Sequence, residues 1–100
     1  MAQVIWTEPA IDNIDEIAEY IALSNPMAAS KLVLDVLSAV GRLEDHPESG
    51  RVPEEIQEFT YREVVVNPCR VFYKYSGGVV YVLYVLRQER DVRKYIIEAQ

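Results

Sequence analysis

The side chains with the greatest capacity for chemistry are two arginines, Arg70 and Arg87, which a strand pattern should bring onto one surface. Cys69–Ser76 and residues 79–86 alternate with period two, and Gly77-Gly78 between them reads as a two-residue hairpin turn, since glycine takes positive φ at little steric cost. That turn sets Ser76 opposite Val79 and, in a regular ladder, Arg70 opposite Val85. One face then holds Cys69, Val71, Tyr73 and Tyr75 beside Val80, Val82, Tyr84 and Leu86. The other holds Arg70, Phe72 and Lys74 beside Tyr81, Leu83, Val85 and Arg87. On this second face Arg70 and Arg87 become diagonal neighbours, with Cα atoms roughly 7 to 8 Å apart. If Asn67-Pro68 also turns in two residues, Tyr61, Glu63 and Val65 join them. Two guanidiniums that close need an anion between them, and each presents a planar fork suited to a phosphate, a partner's carboxylate, or Glu63 itself. A binding or catalytic role therefore competes with plain structural pairing to Glu63, Glu89 or Asp91.

The elements that must position these groups are legible. Gln3–Trp6 is β-branched and aromatic ahead of a break at Thr7-Glu8-Pro9, so a short strand precedes a helix that Thr7 can cap and Pro9 can open. From Ala10 the apolar residues Ile14, Ile17, Ala18 and Ile21 form a helical stripe, and Asp12, Asp15, Glu16 and Glu19 lie largely off it. Ser24-Asn25-Pro26 ends that helix and starts another, whose stripe runs Ala29, Leu32, Val33, Val36, Leu37, Val40, Leu43. So short a connection implies an antiparallel helical hairpin, with both stripes in the core against a sheet. Residues 46–53 are turn chemistry, the loop runs to about Glu58, and residues 61–66 open a run of three consecutive antiparallel strands. A short charged helix over residues 89–97 closes the chain. The fold class is α+β, one domain over residues 1–100, with the hairpin on one face of a mainly antiparallel sheet and the other face left open.

Composition excludes several classes of function. The 100 residues are 50% apolar and 26% charged, which suits a single folded domain. One cysteine, Cys69, cannot form an internal bridge and points to the predicted core, and the lone His46 sits in a loop at a helix end, so no metal or cofactor is implied. The longest apolar run is too short to span a bilayer, and the N-terminus does not read as a signal peptide, which together favour a cytoplasmic protein without a membrane partner. The net charge of -6 is segregated: residues 1–59 carry twelve acids against three bases, net -9, whereas residues 60–100 carry seven bases against four acids, net +3. A basic second half suits an acidic partner.

Val4-Ile5-Trp6-Thr7-Glu8-Pro9-Ala10, His46-Pro47-Glu48-Ser49-Gly50-Arg51, Tyr61-Arg62-Glu63-Val64-Val65-Val66, Cys69-Arg70-Val71-Phe72-Tyr73 and Val85-Leu86-Arg87-Gln88-Glu89-Arg90-Asp91, in this order, resemble the RelE/ParE superfamily of toxins from bacterial type II toxin-antitoxin modules, and look like its ParE type. The resemblance implies a cognate protein antitoxin and one of two targets. RelE-like members cleave mRNA on the ribosome, and in that case Arg70, Arg87, Glu63 and Tyr95 would be the catalytic set. Arg87 stands where many relatives have histidine, which removes a proton donor because arginine stays protonated. ParE-like members poison DNA gyrase without catalysis, and the overall acidity suits that protein target better than ribosomal RNA. The target-binding set would then be Arg70, Lys74, Tyr81, Arg87, Arg90 and Arg93. The antitoxin would dock on the outer hairpin and a neighbouring edge strand, with Tyr20, Leu23 and Met27 near the bend as anchors. A module that binds antitoxin but has lost toxicity is the third reading.

Overall fold

The computed structural model describes residues 1–99. Strand β1 (Gln3–Trp6) leads into helix α1 (Glu8–Ala22), with Thr7 extended and Pro9 in the first turn. The Thr7 hydroxyl does not cap the helix as expected; it donates to the carbonyls of Val82 at 2.6 Å and Leu83 at 3.3 Å. Asn25 does cap helix α2 (Pro26–Gly41), its side-chain oxygen accepting from the Ala28 amide at 3.1 Å. Single 3₁₀ turns follow at Arg42–Glu44 and Glu54–Ile56, then strands β2 (Arg62–Val66), β3 (Cys69–Ser76) and β4 (Val79–Arg87), and helix α3 (Val92–Ala99). Strand order is β1-β4-β3-β2, with β1 parallel to β4 and the other pairs antiparallel. The fold class, the order of elements and the three consecutive antiparallel strands are those the sequence implied; the parallel pairing of β1 with β4 is added by the structure.

The register holds at both turns and slips in between. Ser76 faces Val79 across two glycines at positive φ, and Val66 faces Cys69 across a cis Asn67–Pro68 peptide, so both turns have two residues. Between Phe72 and Tyr73 the ladder shifts: Tyr73 pairs with Val82 and Phe72 with Tyr84, so that Leu83 is the extra residue of a bulge. Everything beyond the bulge changes sides. Val85 and Arg87 move to the face under the hairpin, and Tyr84 and Leu86 to the face opposite. Residues 79–86 are apolar throughout, so alternation carried no signal against the slip. The bulge is held by α1 and the residue before it: Thr7 occupies the Val82 and Leu83 carbonyls, and the Asn13 side-chain oxygen accepts from the Val85 amide at 3.0 Å.

Under the hairpin, Ala10, Leu32, Val36 and Val40 pack on Cys69, Val71, Val82 and Val85. Cys69 is fully buried there, and burial pushes its thiol pKa up. Leu37, expected in the core, is half exposed. The opposite face was expected to be open, but its Arg70 half is covered. Ile56 from the loop and Val92 and Ile96 from α3 seal Phe72, Tyr84 and Leu86. Among the described residues no helix is long and apolar enough to cross a membrane.

Candidate functional site

Arg70 and Glu63 meet on the sheet face away from the hairpin because Glu63 pairs with Phe72, and Arg70 with Val65, so the two are diagonal neighbours. The Arg70 Nε donates to one Glu63 oxygen at 2.5 Å, and the Arg51 Nε donates to the other at 3.1 Å. Arg51 is itself fixed by a pair of backbone hydrogen bonds with Glu63, at 3.0 and 2.8 Å. The turn that delivers it is pinned by Tyr73, whose hydroxyl accepts from the Gly50 amide at 2.9 Å and donates to the Pro47 carbonyl at 2.8 Å. Gly50 is required at this point: a Cβ would fall 2.6 Å from that hydroxyl and 2.8 Å from the Glu63 carbonyl.

The outer edge of the Arg70 guanidinium is also taken. Nη1 and Nη2 donate to the two oxygens of Glu55 at 2.7 and 2.9 Å, a bidentate fork, while the guanidinium carbon sits 5.0 Å from the Phe72 ring centre. Arg70 is 9% exposed and Glu63 3%. The Arg70 hydrogen bonds hold the Glu55 carboxyl down at about 2, and those from Glu55 and Glu63 raise the already high arginine pKa further. A cavity of about 420 Å³ opens beside the fork, with Arg51, Glu54 and Gln88 on its walls.

Regular alternation placed Arg87 beside Arg70; the Leu83 bulge puts it on the other face, opposite Cys69, where its Nε donates to Glu89 at 3.3 Å. The two guanidiniums therefore share no surface, and the anion that balances Arg70 comes from its own chain. The remaining predicted residues are dispersed. Lys74 and Tyr81 pair across β3 and β4, in one row with Ile5 of β1. The Tyr95 hydroxyl accepts from Asn13 at 2.8 Å, and Arg90 lies over the Tyr95 ring at 5.0 Å. Arg93 donates to Glu58 at 2.6 Å and to the Glu55 carbonyl at 3.2 Å, tying α3 to the loop. Sequence reasoning offered Glu63, Glu89 and Asp91 as partners for the arginines and missed Glu55, which lies in a loop without a periodic signal.

The hairpin presents a second surface. Tyr20, Leu23 and Met27 are 69, 85 and 84% exposed around the bend. Away from the bend, a groove of about 320 Å³ is lined by Trp6, Ile11 and Ile14 from β1 and the first half of α1 and by Val33, Val36 and Leu37 of α2, all of them apolar. Its sequence signal was the α2 stripe, which is wider than burial against the sheet requires.

Residues 4–92 match the family model described as ParE toxin of type II toxin-antitoxin system, parDE. A protein called Toxin RelE2 from Caulobacter vibrioides is 34% identical over 91 residues, covering 90% of this chain and 99% of its own length. Putative toxin Y4kP from Sinorhizobium fredii is 39% identical over 79 residues, covering 77% of this chain and 79% of its own. A solved structure described as a chromosomal ParDE TA system from P. aeruginosa superposes with a TM-score of 0.76 at 23% identity, covering 89% of this chain and 98% of that one, and so shares the fold. The chain belongs to the ParE toxin family of type II toxin-antitoxin systems.

Proposed function

We propose that this toxin acts in the cytoplasm by binding DNA gyrase, without catalysing a reaction of its own, and that a cognate antitoxin neutralises it. The observation that carries this reading is the state of Arg70. A ribonuclease arginine must meet a scissile phosphate, yet this guanidinium is buried and its fork is filled by Glu55. Glu63, the acid nearest it, is locked between two arginines and is poorly placed to take a proton from a ribose hydroxyl. The other cations expected to bind a target, Lys74, Arg87, Arg90 and Arg93, are spread over both faces and α3, which suits a broad protein surface more than one reacting centre.

The antitoxin would lay an apolar helix along the groove and anchor on Tyr20, Leu23 and Met27. The exposed side of α1 carries Asp12, Asp15, Glu16 and Glu19, so a docking segment that reaches round the helix should carry lysine or arginine along one side. Supercoiling by purified gyrase with antitoxin-free toxin tests the target. Dose-dependent loss of supercoiling is expected. Full gyrase activity at large toxin excess overturns the reading, and codon-linked cuts in translated message would support instead a ribosome-dependent nuclease, in keeping with the name of the Caulobacter relative.

A further inference from the structure

The side of α2 turned from the core carries a second apolar spacing. Ala29, Leu32, Val36, Ala39 and Val40 are buried, whereas Met27, Ser30, Leu34, Leu37 and Gly41, alternately three and four residues apart, share the outer side. Met27, Leu34 and Leu37 are 84, 65 and 50% exposed, and this spacing is the seam by which one helix packs along another. A shallow cleft of about 430 Å³ opens there between Met27, Ser30, Lys31 and Leu34.

The stripe is complementary to itself when reversed about Leu34. Turned end over end, Met27 comes opposite Gly41, Ser30 opposite Leu37, and Leu34 opposite its own copy, so away from the centre each large side chain meets a small residue. A Cβ added at Gly41 would meet nothing within 4 Å, so the glycine leaves open space for Met27 of a second copy. Charge agrees with shape. Lys31 and Asp35 form an exposed pair at 2.6 Å on one flank, and the reversal brings Lys31 of one copy alongside Asp35 of the other. The neighbouring helix would repel its copy instead: Glu8–Ala22 carries five acids and no base, against one of each in Pro26–Gly41.

We propose that the outer face of α2 is a self-association surface, through which two copies of this chain pair antiparallel about a two-fold axis at Leu34. A helix of 16 residues is about 24 Å long, so the contact falls well short of the roughly 800 Å² per partner of a standard interface. The dimer is therefore transient, with a Kd on the order of 10 to 100 μM. Met27 and Leu37 also belong to the surface offered above to the antitoxin, so the two occupants exclude each other and the dimer is a state of the antitoxin-free chain. It stands or falls separately from the gyrase target and from the antitoxin contact.

Sedimentation equilibrium of the antitoxin-free chain tests the pairing, and the average mass should rise from one chain toward two between about 1 and 300 μM. Leu34→Asp, at an exposed position that leaves thermal unfolding unchanged, sets two carboxylates on the axis and should weaken the dimer at least about tenfold. Cysteine oxidation reads the register, because the native Cys69 is buried. Helices packed about 8 to 10 Å apart bring the two Leu34 Cα atoms within about 6 Å, so Leu34→Cys should close an intermolecular disulfide. Ser38→Cys, exposed on the same side, would lie about 12 Å from its copy along the axis and should remain a free thiol. Met27→Cys mixed with Gly41→Cys should join one variant to the other. A single-chain mass at all concentrations up to about 1 mM overturns the proposal and leaves this face to a different protein. Undiminished association of Leu34→Asp, or equal oxidation of Leu34→Cys and Ser38→Cys, overturns it as well.

Discussion

Arg70→Ala should destabilise the fold before it says anything about function. The substitution removes the Nε bond to Glu63 and leaves a carboxylate that is 3% exposed with Arg51 as its remaining charged partner. Breaking a buried pair by deleting one member costs about 3 to 5 kcal/mol, because the other charge stays behind in a medium that solvates it poorly. Arg51 still offers one bond at 3.1 Å from an exposed position, which places the cost at the lower end, about 3 kcal/mol. Loss of the Phe72 contact adds a fraction of this. At an m-value of about 1.5 kcal/mol/M, the urea midpoint should fall by about 2 M with m unchanged. Arg70→Met combined with Glu63→Leu should recover most of the loss, since apolar groups of similar volume replace a buried pair at little cost. A loss of under about 1 kcal/mol for Arg70→Ala, the range of an exposed pair, would refute a structural role for Arg70. The consequence for function is practical: harmlessness of an Arg70→Ala toxin would report unfolding as readily as a lost contact with a target.

Further outcomes follow from the same geometry. The folded pKa of Glu55 is depressed to about 2 from 4.5, so its contribution is fully present above pH 4.5 and is lost as the pH falls toward 2. Its side chain is 41% exposed, so solvent screening reduces that contribution to about 1 kcal/mol, and the gap between wild type and Glu55→Gln in urea unfolding should close over that window. Gly50→Ala should lower stability by about 2 kcal/mol in thermal unfolding, because its Cβ would meet the Tyr73 ring and the Glu63 backbone. Leu23→Asp with Met27→Asp should leave stability within about 0.5 kcal/mol, as expected for exposed positions. The same pair should weaken antitoxin binding by about 2 kcal/mol or more in calorimetry.

The sequence carried the fold where each local signal had a single physical meaning. Pro9, Pro26 and Asn25 set helix starts, the α1 and α2 stripes set the hairpin, and Gly77-Gly78 set one turn. It failed at Leu83 because every neighbour from Val79 to Leu86 is apolar, so either register buries the same residue types. What decided the register was polar and distant: Thr7, just before α1, and Asn13, in its second turn, satisfy backbone groups of β4 around the bulge. That slip moved Arg87 to the other face. The Arg70–Glu63 contact was legible because it depends on the β2–β3 turn alone, upstream of the slip. Glu55 was not, since its position depends on Ile56 finding the apolar face of the sheet and on Arg93 reaching back from α3.

Whether this family member works by occupying a protein or by cutting RNA is decided by trapping gyrase on plasmid DNA with antitoxin-free toxin, then adding detergent and protease. Linear plasmid should increase with toxin and disappear when the antitoxin is added first. Absence of linear DNA, together with codon-linked cleavage of translated message by the same preparation, would contradict a gyrase-directed, non-catalytic toxin.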